Sequence, residues 1–208
     1  MNNINKLQGL YVIADADCVD TKEIVHKTKE VLDSGVKIIQ YRDKVNTQDE
    51  KSEIAGKLRE LTLNYESVFI INDDVDTAIA CDADGVHLGK HDVSVEQARK
   101  QLGKNKIIGA SCYASFNNAK PNIDASADYI AFGSIFASTT KPDAPKADLQ
   151  LLQQAKQAYT VPICAIGGIT PENAHQVLLA GADMIAVISS VFNASSTTQA
   201  VQKYLSII

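Results

Sequence analysis

Residues 163–188 read ICAIGGITPENAHQVLLAGADMIAVI, two short apolar runs on either side of a sharply delimited helix. Ile163–Ile166 and Met184–Ile188 are nearly continuous apolar stretches, the pattern of strands that are covered on both faces. Between them Thr170 offers an N-cap and Pro171 stands at the first helical position. Ala174, Val177 and Leu178 mark one apolar helical face, and Gly181 stops the helix just beyond it. Strand, helix and strand in this spacing form one parallel unit joined by a crossover.

The same alternation extends back to the start of the chain. The strands read as Leu10–Ala14, Lys37–Arg42, Val68–Ile71, Gly85–Leu88, Ile107–Ala110, Tyr129–Phe132, Ile163–Ile166 and Met184–Ile188. Thr47 with Glu50 and Ser94 with Gln97 have the spacing of capping boxes, so they fix two of the helix starts. Ala200, Val201, Tyr204, Leu205 and Ile208 share one helical face that can close an outer ring against the last strand. Eight such units predict an α/β protein with a single (β/α)8 TIM barrel over residues 1–208. Periodicity alone leaves an open doubly wound sheet as the alternative. The longest connection, Gly133–Lys146, carries Ser138, Thr139, Thr140, Lys141 and two prolines, a composition suited to a substrate lid.

A chain of 208 residues with 45% hydrophobic content builds one substantial core. A formal net charge of −5 with scattered basic residues argues against nucleic acid as a partner. Neither a signal-peptide pattern nor an apolar run near the ~20 residues of a membrane span occurs, so the expectation is a cytoplasmic protein without a membrane partner. Cys18, Cys81, Cys112 and Cys164 lack CxxC pairing, and they read as reduced thiols packed like small hydrophobes.

In a barrel the active site lies at the C-terminal ends of the strands, and most of the unusual polar residues collect there. Strand two ends in Gln40-Tyr41-Arg42-Asp43-Lys44. If Ile39 and Tyr41 pack under helices, period two turns Gln40, Arg42 and Lys44 inward. Cations aimed into a mouth are costly to desolvate unless they meet an anion, either a ligand or a rim carboxylate. Strand three ends in Asn72-Asp73-Asp74, and strand four is followed by Lys90-His91-Asp92. Asp73 and Asp92 then sit on neighbouring loops, where they can share Mg2+, which takes one or two carboxylates plus water and phosphate oxygens. Asp73 has a competing use as a cap for the next helix, whereas Ser94 already caps the helix after Asp92. Gly167-Gly168 and Ile188-Ser189 follow strands seven and eight, where barrels commonly bind phosphate, although a double glycine also makes a plain turn. His26 and His175 read as surface residues and His87 as a hydrogen-bonded core residue; His91 receives no role.

These motifs resemble the thiamine-phosphate synthase family from Gly9-Leu10-Tyr11-Val12 to Ala186-Val187-Ile188-Ser189. The resemblance rests on the strand-two motif, Asn72-Asp73, 83–89, Gly109-Ala110-Ser111, 132–136, Thr140-Lys141 and 165–169, all in order. It implies a cytoplasmic transferase that joins a pyrimidine diphosphate to a thiazole phosphate with loss of pyrophosphate. It further implies that Gln40, Arg42, Lys44, Asn72, Ser111 and Lys141 bind the pyrimidine diphosphate and that Asp73 and Asp92 hold Mg2+. Arg42, Lys44 and Lys141 would stabilise the leaving charge. Ser138, Thr139, Thr140, Gly168, Ile188 and Ser189 would take the thiazole phosphate. Tyr41, Tyr113 and Ala137-Ser138 depart from the family pattern, which has leucine, histidine and proline-threonine there. A thiazole tautomerase and a non-catalytic phosphate sensor are the competing readings, and Asp73, Asp92 and Lys141 argue against both. The sequence leaves open whether the chain forms a homo-oligomer.

Overall fold

The eight apolar runs pair in parallel and in chain order until the eighth meets the first, which closes the sheet. A computed structural model describes residues 3–137 and 146–208. The strands are β1 (Gly9–Asp15), β2 (Ile38–Arg42), β3 (Val68–Asn72), β4 (Gly85–Leu88), β5 (Ile107–Tyr113), β6 (Tyr129–Phe132), β7 (Ile163–Ile166) and β8 (Met184–Val187). Around them lie α1 (Ile24–Asp33), α2 (Gln48–Asn64), α3 (Val75–Ala80), α4 (Val95–Leu102), α5 (Ala119–Asp124), α6 (Leu149–Ala158), α7 (Pro171–Leu179), α8 (Ser189–Phe192) and α9 (Thr197–Leu205). Closure settles the choice in favour of the (β/α)8 barrel over the open sheet. Among the described residues no helix is long and apolar enough to cross a membrane.

The expected helix signals act where they stand. Thr47 and Ser94 accept from the N–H groups of Glu50 and Gln97, whose side chains bond back, and Asn173 accepts from the Thr170 N–H. Gly181 has φ +104°, the left-handed conformation that ends α7 at little steric cost. Two details differ. Strand β5 runs on through a bulge between Ser111 and Tyr113, with Tyr113 at φ +55°, because a bulge lets the strand continue with its register shifted. Helix α9 ends at Leu205, so Ile208 lies outside the closing face and is 45% exposed.

Alternate strand residues separate two apolar regions. Val12, Ile39, Phe69, Val86, Ile108 and their neighbours pack under the helices. Tyr11, Ile38, Val68, Ile70, Tyr129 and Met184 fill the barrel interior. Tyr129 fits there because β5 presents Gly109, while Gly85 lets β4 lie close against β5. A Cβ on Gly109 would lie 2.0 Å from Cζ of Tyr129, and one on Gly85 would lie 2.0 Å from the Ile107 carbonyl oxygen.

The opposite end of the barrel from the site is stapled by a repeated device. Asp84, Asp128 and Asp183 each stand one residue before an even-numbered strand. Each donates its N–H to the first or second residue of the preceding strand and accepts that residue's N–H on its carboxylate: Phe69 at 2.8 Å, Ile108 at 2.7 Å and Ile163 at 2.9 Å. Each carboxylate also meets a cation, from Arg59, Arg99 and Lys156 respectively. Asp128→Ala is therefore expected to strand the Ile108 N–H and one face of Arg99, lowering stability by about 2–4 kcal/mol. Urea unfolding reads this directly, and a loss below ~0.5 kcal/mol would contradict it.

Candidate active site

At the C-terminal mouth a cavity of about 640 Å³ opens over the tyrosine floor. Gln40, Arg42, Asn72 and Ser111 face it from one side, and Gly168, Ile188 and Ser189 from the other. Period two explains the first set, because Tyr41 is 3% exposed under the helices while Gln40 and Arg42 turn inward. Lys44 lies beyond the end of β2 and does not line this cavity. It reaches sideways to Asp73 at the rim, where Asn72 borders both the main cavity and a smaller depression that holds Lys44 and Asp73. Ser138, Thr139, Thr140 and Lys141 lie outside the described residues, as does most of the connection read as a lid.

Arg42 meets carboxylates that the sequence reading did not pair with it. Its Nη1 donates to both oxygens of Asp15, at 2.7 and 2.8 Å, and to Asp17 at 2.7 Å. Asp15 is 1% exposed, so a carboxylate carried into the mouth has its cation beside it. These bonds use one nitrogen of the fork, and the rest of the guanidinium remains for an anionic ligand. The partner was hidden because it is contributed by β1, which pairs Asp15 with Arg42 only in the folded sheet.

Asp73 and Asp92 come together across neighbouring loops. The cap of α3 is Asp74, whose carboxylate accepts from Thr77 N–H at 2.9 Å, so Asp73 is not used there. Burial alone would raise the Asp73 carboxyl, but the bonds from Lys44 and Asp92 hold it below the ordinary range. Burial and the adjacent Asp73 push Asp92 upward. Two carboxylates in contact do not ionise independently, so one favours ionisation while the other resists it. No cluster of three or more His, Cys, Asp or Glu ligands occurs among the described residues. That donor set fits a hard cation completing its shell with water and phosphate oxygens, and it does not supply an all-protein cage.

The Asp92 loop is held from β5. Asp92 accepts from the Gly89 N–H at 2.7 Å, and the hydroxyl of Tyr113 accepts from the Lys90 N–H at 2.8 Å. A Cβ on Gly89 would crowd both oxygens at 3.1 Å. The sequence reading gave Tyr113 no task beyond its departure from the family pattern, and the left-handed conformation at the bulge is what aims it at this loop.

Across the mouth, Gly167 and Gly168 have φ +101° and +63° and pack tightly on the β6 loop. A Cβ on Gly168 would lie 2.3 Å from the Ala137 carbonyl oxygen, so this glycine is needed for the turn itself. Ser190 and Asn193 also line the cavity and were missed, since α8 is too short to announce itself by periodicity. Tyr204 ties α9 to this corner, donating to the Ile169 carbonyl at 2.9 Å and lying 2.8 Å from Ser190 Oγ. His26, His91 and His175 are exposed, whereas His87 is hydrogen-bonded and lines the cavity.

The model of the thiamine monophosphate synthase family matches residues 10–191. A thiamine-phosphate synthase of Methylobacillus flagellatus is 45% identical over 93% of this chain and 92% of its own length. One from Alcanivorax borkumensis is 41% identical over 93% of this chain and 89% of its own. The solved structure of a thiamine phosphate pyrophosphorylase from Pyrococcus furiosus superposes with a TM-score of 0.90 at 39% identity, covering 99% of this chain and 97% of its own.

The Tyr113 contact can be tested without a substrate. Tyr113→Phe removes the acceptor of the Lys90 N–H and should speed hydrogen exchange there roughly tenfold, the effect of losing about 1.4 kcal/mol. Unchanged exchange across 89–92 would show that the hydroxyl does not hold the loop.

Proposed function

The chain belongs to the thiamine monophosphate synthase family and has the transferase activity of thiamine-phosphate synthases; from that premise we propose how its mouth carries out the reaction. The pyrimidine diphosphate, 4-amino-2-methyl-5-(diphosphooxymethyl)pyrimidine, enters with its ring on the floor near Gln40, Asn72 and Ser111. Its diphosphate lies toward Arg42, Lys44 and Lys141. The thiazole phosphate occupies the opposite side, its phosphate at Gly168, Ile188 and Ser189 and the Ser138–Thr140 segment. Asp73 and Asp92 would hold Mg2+. Bound there, the ion supplies charge neutralisation to the phosphate oxygens.

The observation that carries this reading is the Asp73–Asp92 carboxylate pair, with Lys44 against it, at the edge of a cavity large enough for two ring ligands. Asp73 accepts from Lys44, and a ligand anion arriving at the rim would compete for that ammonium, leaving Asp73 and Asp92 as the residues that would hold the cation. The carbon–oxygen bond to the diphosphate breaks heterolytically, and both electrons leave with pyrophosphate. The pyrimidinylmethyl cation is stabilised by its own ring, and the thiazole nitrogen then supplies the electron pair for the new carbon–nitrogen bond. No proton has to be removed in these steps, so the protein's contribution is charge stabilisation and alignment. Arg42, held by Asp15 and Asp17, keeps its guanidinium fixed before substrate arrives, which avoids reorganisation during bond cleavage.

Pyrophosphate release measured with both substrates present tests the reading. Release should require Mg2+, and Asp92→Ala should lower turnover at least ~100-fold, equivalent to about 3 kcal/mol of lost transition-state stabilisation. Full activity of that variant, or turnover undiminished by a chelator, would contradict the metal assignment. Ser189→Ala should instead raise KM for the thiazole phosphate with little change in KM for the pyrimidine diphosphate. A change confined to the pyrimidine substrate would reverse the placement of the two ligands.

A further inference from the structure

Beneath the cavity a chain of hydrogen bonds crosses the barrel interior from β2 to β5. Gln40 Nε2 donates to Tyr11 Oη at 2.6 Å, and Tyr11 Oη lies 2.9 Å from Tyr129 Oη. Tyr129 Oη lies 2.9 Å from His87 Nδ1, and His87 Nε2 lies 2.9 Å from Ser111 Oγ. We infer that this chain runs in one direction, so that it presents the Ser111 hydroxyl as a donor and the Gln40 carbonyl as an acceptor to the bound ring, with Tyr129 and His87 acting as positioning residues.

The direction follows from counting protons. An amide nitrogen only donates, so Tyr11 Oη accepts from Gln40 and passes its single proton to Tyr129. Tyr129 then gives its proton to His87 Nδ1. An imidazole accepting at Nδ1 carries its proton on Nε2, which donates to Ser111 Oγ. The Ser111 proton is left to point into the cavity. At the other end, Gln40 Oε1 is in no hydrogen bond with the described residues and belongs to a side chain that lines the cavity. In the opposite direction the buried Tyr11 would receive two protons and have no described acceptor for its own, a costly arrangement.

The surroundings keep the chain intact. Tyr11 and Tyr129 are at most 1% exposed, and burial pushes both phenols well above their ordinary range, so each keeps the one proton that the count requires. Tyr129 stacks on His87 with ring centroids 5.6 Å apart and meets Tyr11 edge-on at 6.1 Å. Gly109 gives the Tyr129 ring the space to reach between them. A low-dielectric setting strengthens each bond in such a series and makes a reversed one expensive.

A ring that offers an acceptor nitrogen to Ser111 and an exocyclic amino group to Gln40 suits this pattern, and a ring with an oxo group in place of the amino group opposes it. That consequence rests on the placement of the pyrimidine proposed above. The direction of the chain does not, so the two are separately testable.

Imidazole 15N NMR on ligand-free protein, with His87 assigned from its loss in His87→Gln, reads the tautomer. The expected state is Nε2 protonated and Nδ1 bare. Gln40→Glu replaces the donor by an acceptor at the far end, so Tyr11, Tyr129 and His87 should each reverse and the His87 proton should move to Nδ1. A proton on Nδ1 in the parent protein, or no tautomer change in Gln40→Glu, overturns the inference. If that variant does not fold, Tyr11→Phe cuts the chain and should leave both tautomers populated; a pure Nε2–H form would overturn it. With the tautomers as expected, Tyr129→Phe should raise KM for the pyrimidine diphosphate about tenfold or more while leaving KM for the thiazole phosphate within about twofold. An unchanged pair of constants overturns the positioning role. A rise confined to the thiazole phosphate keeps the chain and refutes the placement of the pyrimidine.

Discussion

Every charge brought into the barrel mouth needs a partner there, and this constraint organises the site. Closure of eight parallel strands makes their C-terminal ends converge, so cations on β2 and carboxylates from β1, β3 and the β4 loop share a partly desolvated space. Asp15, at 1% exposure, would be costly to bury unpaired, whereas Asp17 and Lys44 keep much of their contact with water. Arg42 answers Asp15 and Asp17, and Lys44 answers Asp73, whose other neighbour is Asp92. The first set is satisfied within the protein and therefore rigid. The second holds two carboxylates against one ammonium, and in the proposed reaction a cation and a diphosphate would complete it.

Rigidity elsewhere supports this division. The aspartate staples at the far end bind β4, β6 and β8 each to its predecessor by backbone and carboxylate together. Above them lie the rings of Tyr11 and Tyr129, the second seated against Gly109, and their hydroxyls join the polar floor to the core. In the placement proposed above, the substrate ring would meet groups whose positions are fixed by packing, and the anionic end would meet groups whose pairing can be exchanged.

Much of this was legible in the sequence, for physical reasons that differ by element. Strands covered on both faces give apolar runs, and Thr47, Ser94, Pro171 and Gly181 mark helix ends by local chemistry, so the fold could be read without knowing any contact. Gln40 and Arg42 could be placed by alternation at a strand end, which did not hold for Lys44 beyond it, and Asn72 by its position where the third strand ends. Partnerships between distant strands could not. Asp15 lies 27 residues from Arg42, and Tyr11 lies 118 from Tyr129. In a sequence an interior tyrosine looks like any core aromatic, and a tyrosine at a bulge looks like a surface residue until the bulge turns it. The polar floor, the Tyr113 contact and the α8 corner therefore emerged only from the folded barrel.

A crystal structure with Mn2+ in place of Mg2+ and with pyrophosphate bound is the most direct test of the central claim that the carboxylate pair and the ammonium exchange partners on ligand binding. The anomalous signal should place the metal between Asp73 and Asp92, with Lys44 moved from Asp73 onto a phosphate oxygen. Metal bound elsewhere, or Lys44 still on Asp73 with pyrophosphate present, would contradict it.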